Sequence, residues 1–147
     1  MLVYAMAQAT ADDWYRSSKS ELESARVLKS AGKANEAYFH AGQSVEFILK
    51  ALFLKRNNLK FMPDTHKGAH WHDLQSCAEA SRLKADLNQK DTSRSLKANW
   101  LTVRDWKSNG RFPDMKVPKQ ELNDLFVAVC NDADGVWQWL EKLYLSI

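Results

Sequence analysis

The stretch AYFHAGQSVEFILKALFL, residues 37–54, decides the fold. Its apolar residues recur three and four positions apart, which is the spacing that puts them on one side of an α-helix. We predict one long helix that ends at Asn57 and Asn58. Small residues on it, such as Ala41 and Gly42, would let another backbone approach closely. The predicted apolar stripe comprises Ala34, Ala37, Tyr38, Ala41, Val45, Ile48, Leu49, Leu52 and Phe53.

The composition of the whole chain also favours helix. The 147 residues include 17 Ala and 17 Leu but only 2 Ile and 4 Thr, and strong helix formers therefore outnumber β-branched residues. A chain of this length that is 45% hydrophobic is expected to fold as a single domain, residues 1–147. We therefore predict an all-α fold, an antiparallel up-and-down bundle of about five helices.

Capping and breaking residues indicate where three other helices begin and end. The first helix is predicted to start at Thr10, with Asp13 completing a capping box, and to stop at Gly32. A short third helix should follow Asp73, and a fourth should span residues 93–106.

The fifth predicted helix is a single continuous one that begins at about Pro118, since proline suits the first turn of a helix. Its apolar stripe comprises Leu122, Leu125, Phe126, Val129, Ala133, Val136, Trp137, Leu140 and Tyr144.

Several classes of protein are excluded or disfavoured by simple features. Two cysteines are too few for a disulfide-stapled scaffold. The longest apolar run is short of a membrane span, and residues 1–11 lack the basic start of a signal peptide. No glycine-rich phosphate loop is present. We expect a cytoplasmic protein without a membrane anchor or a cofactor.

The net charge of +3 is unevenly distributed. Residues 55–67 carry four basic groups and one acidic group, and residues 97–119 carry six basic and two acidic groups. Residues 120–147 are acidic, with a net charge of −4. If the two basic segments meet at one end of the bundle, they form a site for phosphate or nucleic acid. The alternative is that their lysines are scattered and solvated.

Gln43, Glu46 and Lys50 lie three and four residues apart and therefore share one face of the second predicted helix. A solvated ion pair between Glu46 and Lys50 is the simplest interpretation. Because these residues adjoin the most apolar part of the helix, a half-buried polar site is the alternative.

Residues 37–54 resemble the second helix of the HEPN (higher eukaryotes and prokaryotes nucleotide-binding) family, whose pattern is A-Y-F-x-A-x-Q-x-x-E-x-x-L-K-A-L-L. Residues 72–74 resemble the family's T-H-D-L segment, and residues 111–113 resemble its R-Y-P segment. The resemblance covers residues 12–140. The residues that match the helix pattern are Ala37, Phe39, Ala41, Gln43, Glu46, Leu49, Lys50, Ala51 and Leu52.

The resemblance implies a helical bundle that often dimerises. Some members are metal-independent RNases, many of them toxins, and others are noncatalytic partners of small nucleotidyltransferases. The RNases share an Arg-x(4–6)-His motif, but neither Arg104 nor Arg111 is followed by such a histidine, and no histidine follows His72. We therefore expect a noncatalytic module for nucleotide or RNA. It would be a homodimer or the partner of a nucleotidyltransferase chain in a toxin–antitoxin-like pair.

The predicted binding site combines two sets of residues. Its phosphate ligands are Arg104, Lys107 and Arg111, and its walls are shaped by Gln43, Glu46 and Lys50. Two other functions stay open: a metal-independent RNase with a degenerate site, and a structural interaction module supported by an outward Trp139 and the acidic last helix.

His66, His70 and His72 lie within seven residues and offer further chemistry. Imidazole titrates near neutral pH and can transfer protons, so His72 is a candidate acid–base residue for the RNase alternative. A metal site formed by the three histidines with Asp73 is a weaker alternative, because the spacing matches no firm zinc pattern. The simplest role for His72 and Asp73 is local, at the start of the third helix.

Among the six tryptophans, Trp71 and Trp106 flank the basic loops. They either stack on a base or ribose or anchor those loops to the bundle. The two cysteines, Cys77 and Cys130, fall on apolar faces and are expected to be inert thiols.

Overall fold

The computed structural model describes residues 8–66, 69–106 and 116–147. Within those ranges it contains seven α-helices, one 3₁₀ turn and no strand, which confirms the predicted all-α class. The helices are α1 (Ala11–Ser30), α2 (Ala34–Arg56), α3 (Leu74–Ala80), α4 (Leu83–Leu87), α5 (Arg94–Arg104), α6 (Lys119–Cys130) and α7 (Val136–Leu145); the 3₁₀ turn (Ala69–His72) precedes α3.

Local hydrogen bonds set the helix boundaries that were predicted from capping residues. Thr10 and Asp13 form the reciprocal capping box at the start of α1. Gly32, which follows α1, has a φ of +77°, a conformation that glycine adopts without steric cost. Asp73 caps α3 through its side chain, which accepts a hydrogen bond from the backbone N–H of Ser76.

Helix α2 is the centre of the bundle and packs against α1, α3, α6 and α7. From Ser44 to Leu54 every side chain except that of Phe47 is buried. A helix that is buried nearly all round lies inside the fold rather than on its surface. Glu46 and Lys50 therefore lie inside the protein, one turn apart on α2.

The predicted fifth helix is wrong, because the chain forms two helices, α6 and α7, separated by a turn. The side-chain oxygen of Asn131 accepts hydrogen bonds from the backbone N–H groups of Ala133 and Asp134, both at 3.0 Å. Gly135 then starts α7, and a side chain at this position would collide with the Asn131 carbonyl. Ala133 was predicted in the apolar stripe but is exposed in the turn.

A second difference is the short helix α4, which together with the split of the fifth helix raises the number from about five to seven in the part of the chain that is described. Arg82 precedes α4 with a φ of +60°, and Leu83 is buried. Arg56 of α2 holds α4 with two hydrogen bonds of 2.7 and 2.9 Å to the carboxylate of Asp86. Arg56 is thus a structural residue.

The described end of the second basic segment, at Trp106, lies away from Lys55 and Arg56 of the first. Lys55 and Arg56 lie at the C-terminal end of α2, where Lys55 donates a hydrogen bond of 2.8 Å to the carbonyl of Tyr144. Trp106, directly after α5, instead packs beside Gly42. Gly42 and Arg56 are about 20 Å apart along the axis of α2. Separately, none of the helices over residues 8–66, 69–106 and 116–147 is long and apolar enough to span a membrane.

Candidate functional site

Glu46, Lys50 and His72 form a connected group that we call the His72 cluster. One oxygen of Glu46, Oε2, accepts hydrogen bonds from Lys50 Nζ at 2.8 Å and from His72 Nδ1 at 3.1 Å. Glu46 and Lys50 are each 3% exposed, whereas the His72 side chain is 56% exposed. His72 therefore joins the buried pair to the protein surface.

Lys50 is enclosed by aromatic rings as well as by its carboxylate partner. Its Nζ atom lies 5.2 Å from the ring centroid of Trp14 and 5.8 Å from that of Trp71. Such positions favour a cation electrostatically. Glu46 and two indole rings surround the ammonium group, so Lys50 holds the carboxylate that also bonds His72.

The backbone on both sides of His72 is fixed. The preceding residue, Trp71, is buried and packs edge-on against Phe53, with ring centroids 5.3 Å apart. The following residue, Asp73, caps α3. Since a carboxylate only accepts hydrogen bonds, Nδ1 of His72 carries the proton that faces Glu46, and Nε2 is left for other partners.

The end of α5 approaches the same face of α2. Gly42 and Glu46 are four residues apart and so lie one above the other, about 6 Å along the helix axis. A methyl group on Gly42 would overlap the indole ring of Trp106, which is 3% exposed and donates a 3.0 Å hydrogen bond to the carbonyl of Tyr38. Gln43, half-buried, lies on this face too.

Arg104, two residues before Trp106, lines a groove of about 440 Å³ between α3, α4 and α5. We call it the basic groove, because three of its lining residues are cations, Lys84, Lys97 and Arg104, and only Glu79 is acidic. The Arg104 side chain is 43% exposed and lies 3.9 Å from the carboxylate of Asp105. The groove therefore offers cationic groups to solvent.

Only one of the three predicted phosphate ligands can be placed. Lys107 and Arg111 lie outside the described residues, as does Lys67. Arg104 lines the basic groove, whereas Gln43, Glu46 and Lys50 lie on α2 and are not among the residues that line it. Helix α3 connects the two places, since it begins just after His72 and contributes Gln75 and Glu79 to the groove.

A protein-family model of the HEPN domain matches residues 11–143 of this chain. The chain belongs to the HEPN family. Membership supports a role that involves nucleotides or RNA, and it agrees with the helical bundle. No curated protein and no solved structure matches the chain significantly.

His66 and His72 of this HEPN domain have different partners. The ring of His66 packs between those of Phe53 and Trp71, at centroid distances of 4.7 and 5.0 Å. His70 belongs to the 3₁₀ turn, and His72 bonds Glu46. Across the part of the chain that the structure describes, no three His, Cys, Asp or Glu side chains are grouped to hold a metal ion.

The tryptophans that sequence analysis placed beside the basic loops are anchors. Trp71 and Trp106 are both buried, so neither presents a ring face on which a base could stack. Cys77 is also buried, and burial raises the pKa of its thiol to about 12. Burial likewise raises the pKa of Cys130. Both thiols are therefore poor nucleophiles.

Two features of this HEPN site were not predicted from the sequence. Gly42 was expected to admit a second backbone, whereas an indole ring lies there. The grouping of Arg104 with Lys84 and Lys97 was not expected, because the contact between α4 and α5 depends on a short helix that the apolar pattern did not predict. A glycine in the middle of a long helix was the sequence signal that could have predicted the close packing of a bulky side chain at Gly42.

Proposed function

We propose that this HEPN domain is a noncatalytic module that binds a nucleotide or single-stranded RNA through phosphate groups. The observation that carries the proposal is the basic groove, where Arg104 lies with Lys84 and Lys97. A cavity of about 440 Å³ has the size of a small-molecule site. Arginine and lysine are the side chains that hold phosphate, and Arg104 does so with a rigid, planar fork.

The environment of the groove supports the same ligand class. Apolar side chains, among them Leu83, Leu87 and Leu101, line it beside the cations. A nucleotide has the matching two parts, an anionic phosphate and a flat base with apolar faces. In sequence, Lys107 and Arg111 follow Arg104 closely, and we propose that they extend the phosphate-binding surface.

Binding to a fluorescein-labelled single-stranded RNA, measured by fluorescence anisotropy over a range of salt concentrations, tests the proposal. We expect Arg104→Ala to weaken binding about tenfold and to reduce the slope of log K against log salt by about 1, as for the loss of one phosphate contact. The matched control is Arg94→Ala, which removes a positive charge from the exposed start of the same helix, outside the groove.

Two outcomes would contradict the proposal. One is the absence of measurable binding by the wild-type protein to RNA and to ATP or GTP. The other is an Arg104→Ala variant that binds as tightly as Arg94→Ala, because general attraction of the anion by net charge would then suffice.

We also propose that the module works as a homodimer or beside a small nucleotidyltransferase chain in a toxin–antitoxin-like pair. Membership of the HEPN family supports this proposal. Apolar side chains that are exposed on two helices, Val27 on α1 and Val127 on α6, also support it. Light scattering over a wide concentration range tests the homodimer, since a constant monomer mass contradicts it. Co-purification with a nucleotidyltransferase chain from the native cell tests the two-protein complex.

A second candidate function, a metal-independent RNase, is favoured by one observation. An exposed imidazole whose inner nitrogen bonds a buried carboxylate is the usual arrangement of a catalytic base and its orienting group. RNA cleavage in EDTA, with wild type beside His72→Ala and Arg111→Ala, tests it. Cleavage that is lost in either variant would establish the RNase, and equal background in all three proteins would leave the binding module.

A further inference from the structure

We propose that His72 makes this site selective for ribose over deoxyribose. In this proposal Nε2 of His72 accepts a hydrogen bond from a ribose 2′-hydroxyl of the bound nucleotide or RNA. The inference rests on the proposed binding function and specifies which chemical group the His72 cluster recognises.

The exposed nitrogen of His72, Nε2, accepts hydrogen bonds. Neutral imidazole has one donor nitrogen and one acceptor nitrogen, and Nδ1 donates to Glu46 Oε2 at 3.1 Å. Nε2 is consequently the acceptor. A phosphate oxygen is itself an acceptor and cannot use it, whereas a hydroxyl can.

The carboxylate of Glu46 is held in place by its neighbours. Its bonded oxygen is also held at 2.8 Å by Lys50, and the pair is almost completely buried. Lys50 in turn lies between Trp14 and Trp71. Two hydrogen bonds and two aromatic rings therefore keep the ring of His72 in one tautomer and one orientation, which a specific hydrogen bond to a ligand requires.

His72 is close in sequence to the residues of α3 that line the basic groove. Helix α3 starts two residues after His72, and Gln75 and Glu79 of this helix line the basic groove. Three residues of chain span at most about 11 Å, so Gln75 on the groove wall lies within that distance of His72. In this proposal a short oligonucleotide places a phosphate on the groove cations and a sugar at His72. The 2′-hydroxyl is the donor that every ribonucleotide carries whatever its base, and it is the group by which proteins distinguish RNA from DNA.

The experiment compares two labelled oligonucleotides at pH 8 in EDTA. One is RNA, and the other has the same bases, uracil included, on deoxyribose. We expect the wild-type protein to bind the RNA about three- to tenfold more tightly, the range for one neutral hydrogen bond. His72→Ala should bind both equally, with its affinity for the deoxyribose strand unchanged. Equal binding by wild type, or a preference that survives in His72→Ala, would overturn the inference.

The double variant Glu46→Met, Lys50→Met supplies a second arm. It removes the acceptor of the Nδ1 proton together with its buried ammonium partner, so no charge is left unpaired and the imidazole is no longer held in one tautomer. We expect the ribose preference to fall while the protein remains folded. The matched control is Glu21→Gln, which alters the carboxylate beside His40 and should keep the preference.

Nitrogen-15 NMR of His72 reports the tautomer directly and needs no ligand. A proton on Nδ1 in wild type is the expected result, and a wild-type proton on Nε2 would overturn the inference. The two proposals fail in different ways. Loss of all binding to both strands contradicts the binding function, whereas equal binding to both strands contradicts only the role of His72.

Discussion

Two histidine–carboxylate pairs involve α2, and they differ in which partner is buried. In the first, His40 on α2 bonds Glu21 on α1, and both side chains are partly exposed, 30% and 21%. In the second, Glu46 is 4% exposed as a side chain, whereas His72 is 56% exposed. The same two residue types therefore bridge two helices in one place and present an oriented ring to solvent in the other.

The difference shows that the surroundings of the carboxylate decide what the pair does. Glu21 remains in contact with water, which competes for its charge, so the His40 pair is a weak surface link. Glu46 is removed from water and depends on Lys50 and His72 for its hydrogen bonds. A buried acceptor with few partners holds them firmly, and this firmness makes His72 a candidate for recognition.

The strongest way to break the comparison is Lys50→Ala, which leaves the Glu46 carboxylate buried with only the imidazole as a partner. We expect a loss of about 3–5 kcal/mol in the free energy of unfolding, because an unpaired buried charge is costly. Urea denaturation monitored by circular dichroism measures it. The double variant Glu46→Gln, Lys50→Met should recover most of the loss, and a single variant as stable as wild type would show that the cluster is not an ion pair in solution.

Gly42→Ala tests the region between the two pairs. The added methyl group overlaps the ring of Trp106, so we expect a loss of about 1–3 kcal/mol from overpacking and a shift in tryptophan fluorescence. RNA binding should weaken, because the end of α5 that carries Arg104 is displaced, while the His40 pair is left intact. Combining the change with Trp106→Ala should cost less than the sum of the two single changes. Additive costs would contradict the contact.

The smallest effect is expected for His40→Ala. Removing a partner from a half-exposed pair should cost about 0–1 kcal/mol and leave RNA binding unchanged. Parallel urea denaturation and anisotropy measurements beside His72→Ala check both statements. A loss of binding equal to that of His72→Ala would mean that the two pairs are equivalent, and the contrast drawn from burial would be wrong.

Local signals account for the parts of the fold that were predicted correctly. Thr10, Gly32 and Asp73 act through hydrogen bonds and backbone angles within a few residues, so each can be read from its neighbours. The break between α6 and α7 was missed because apolar spacing continued through it, with Ala133 in register. The Asn131 turn and Gly135 override that spacing locally.

Some features of the candidate site also followed from local sequence, and others depended on packing. The shared face of Gln43, Glu46 and Lys50 follows from helical periodicity, and the candidacy of His72 came from its residue type and the HEPN resemblance. The grouping of Arg104 with Lys84 and Lys97 did not follow, because those residues meet only when α4 and α5 pack.

The sequence by itself determined the helical class, most helix ends and the family, since these depend on spacings and caps within a few residues. Only the tertiary structure decided that Glu46 and Lys50 lose contact with water, that His72 meets Glu46 from 26 positions away, and that Trp106 packs beside Gly42, away from Lys55. The physical reason is that burial and charge compensation are properties of what packs around a residue. In this chain those neighbours come from helices far away in sequence.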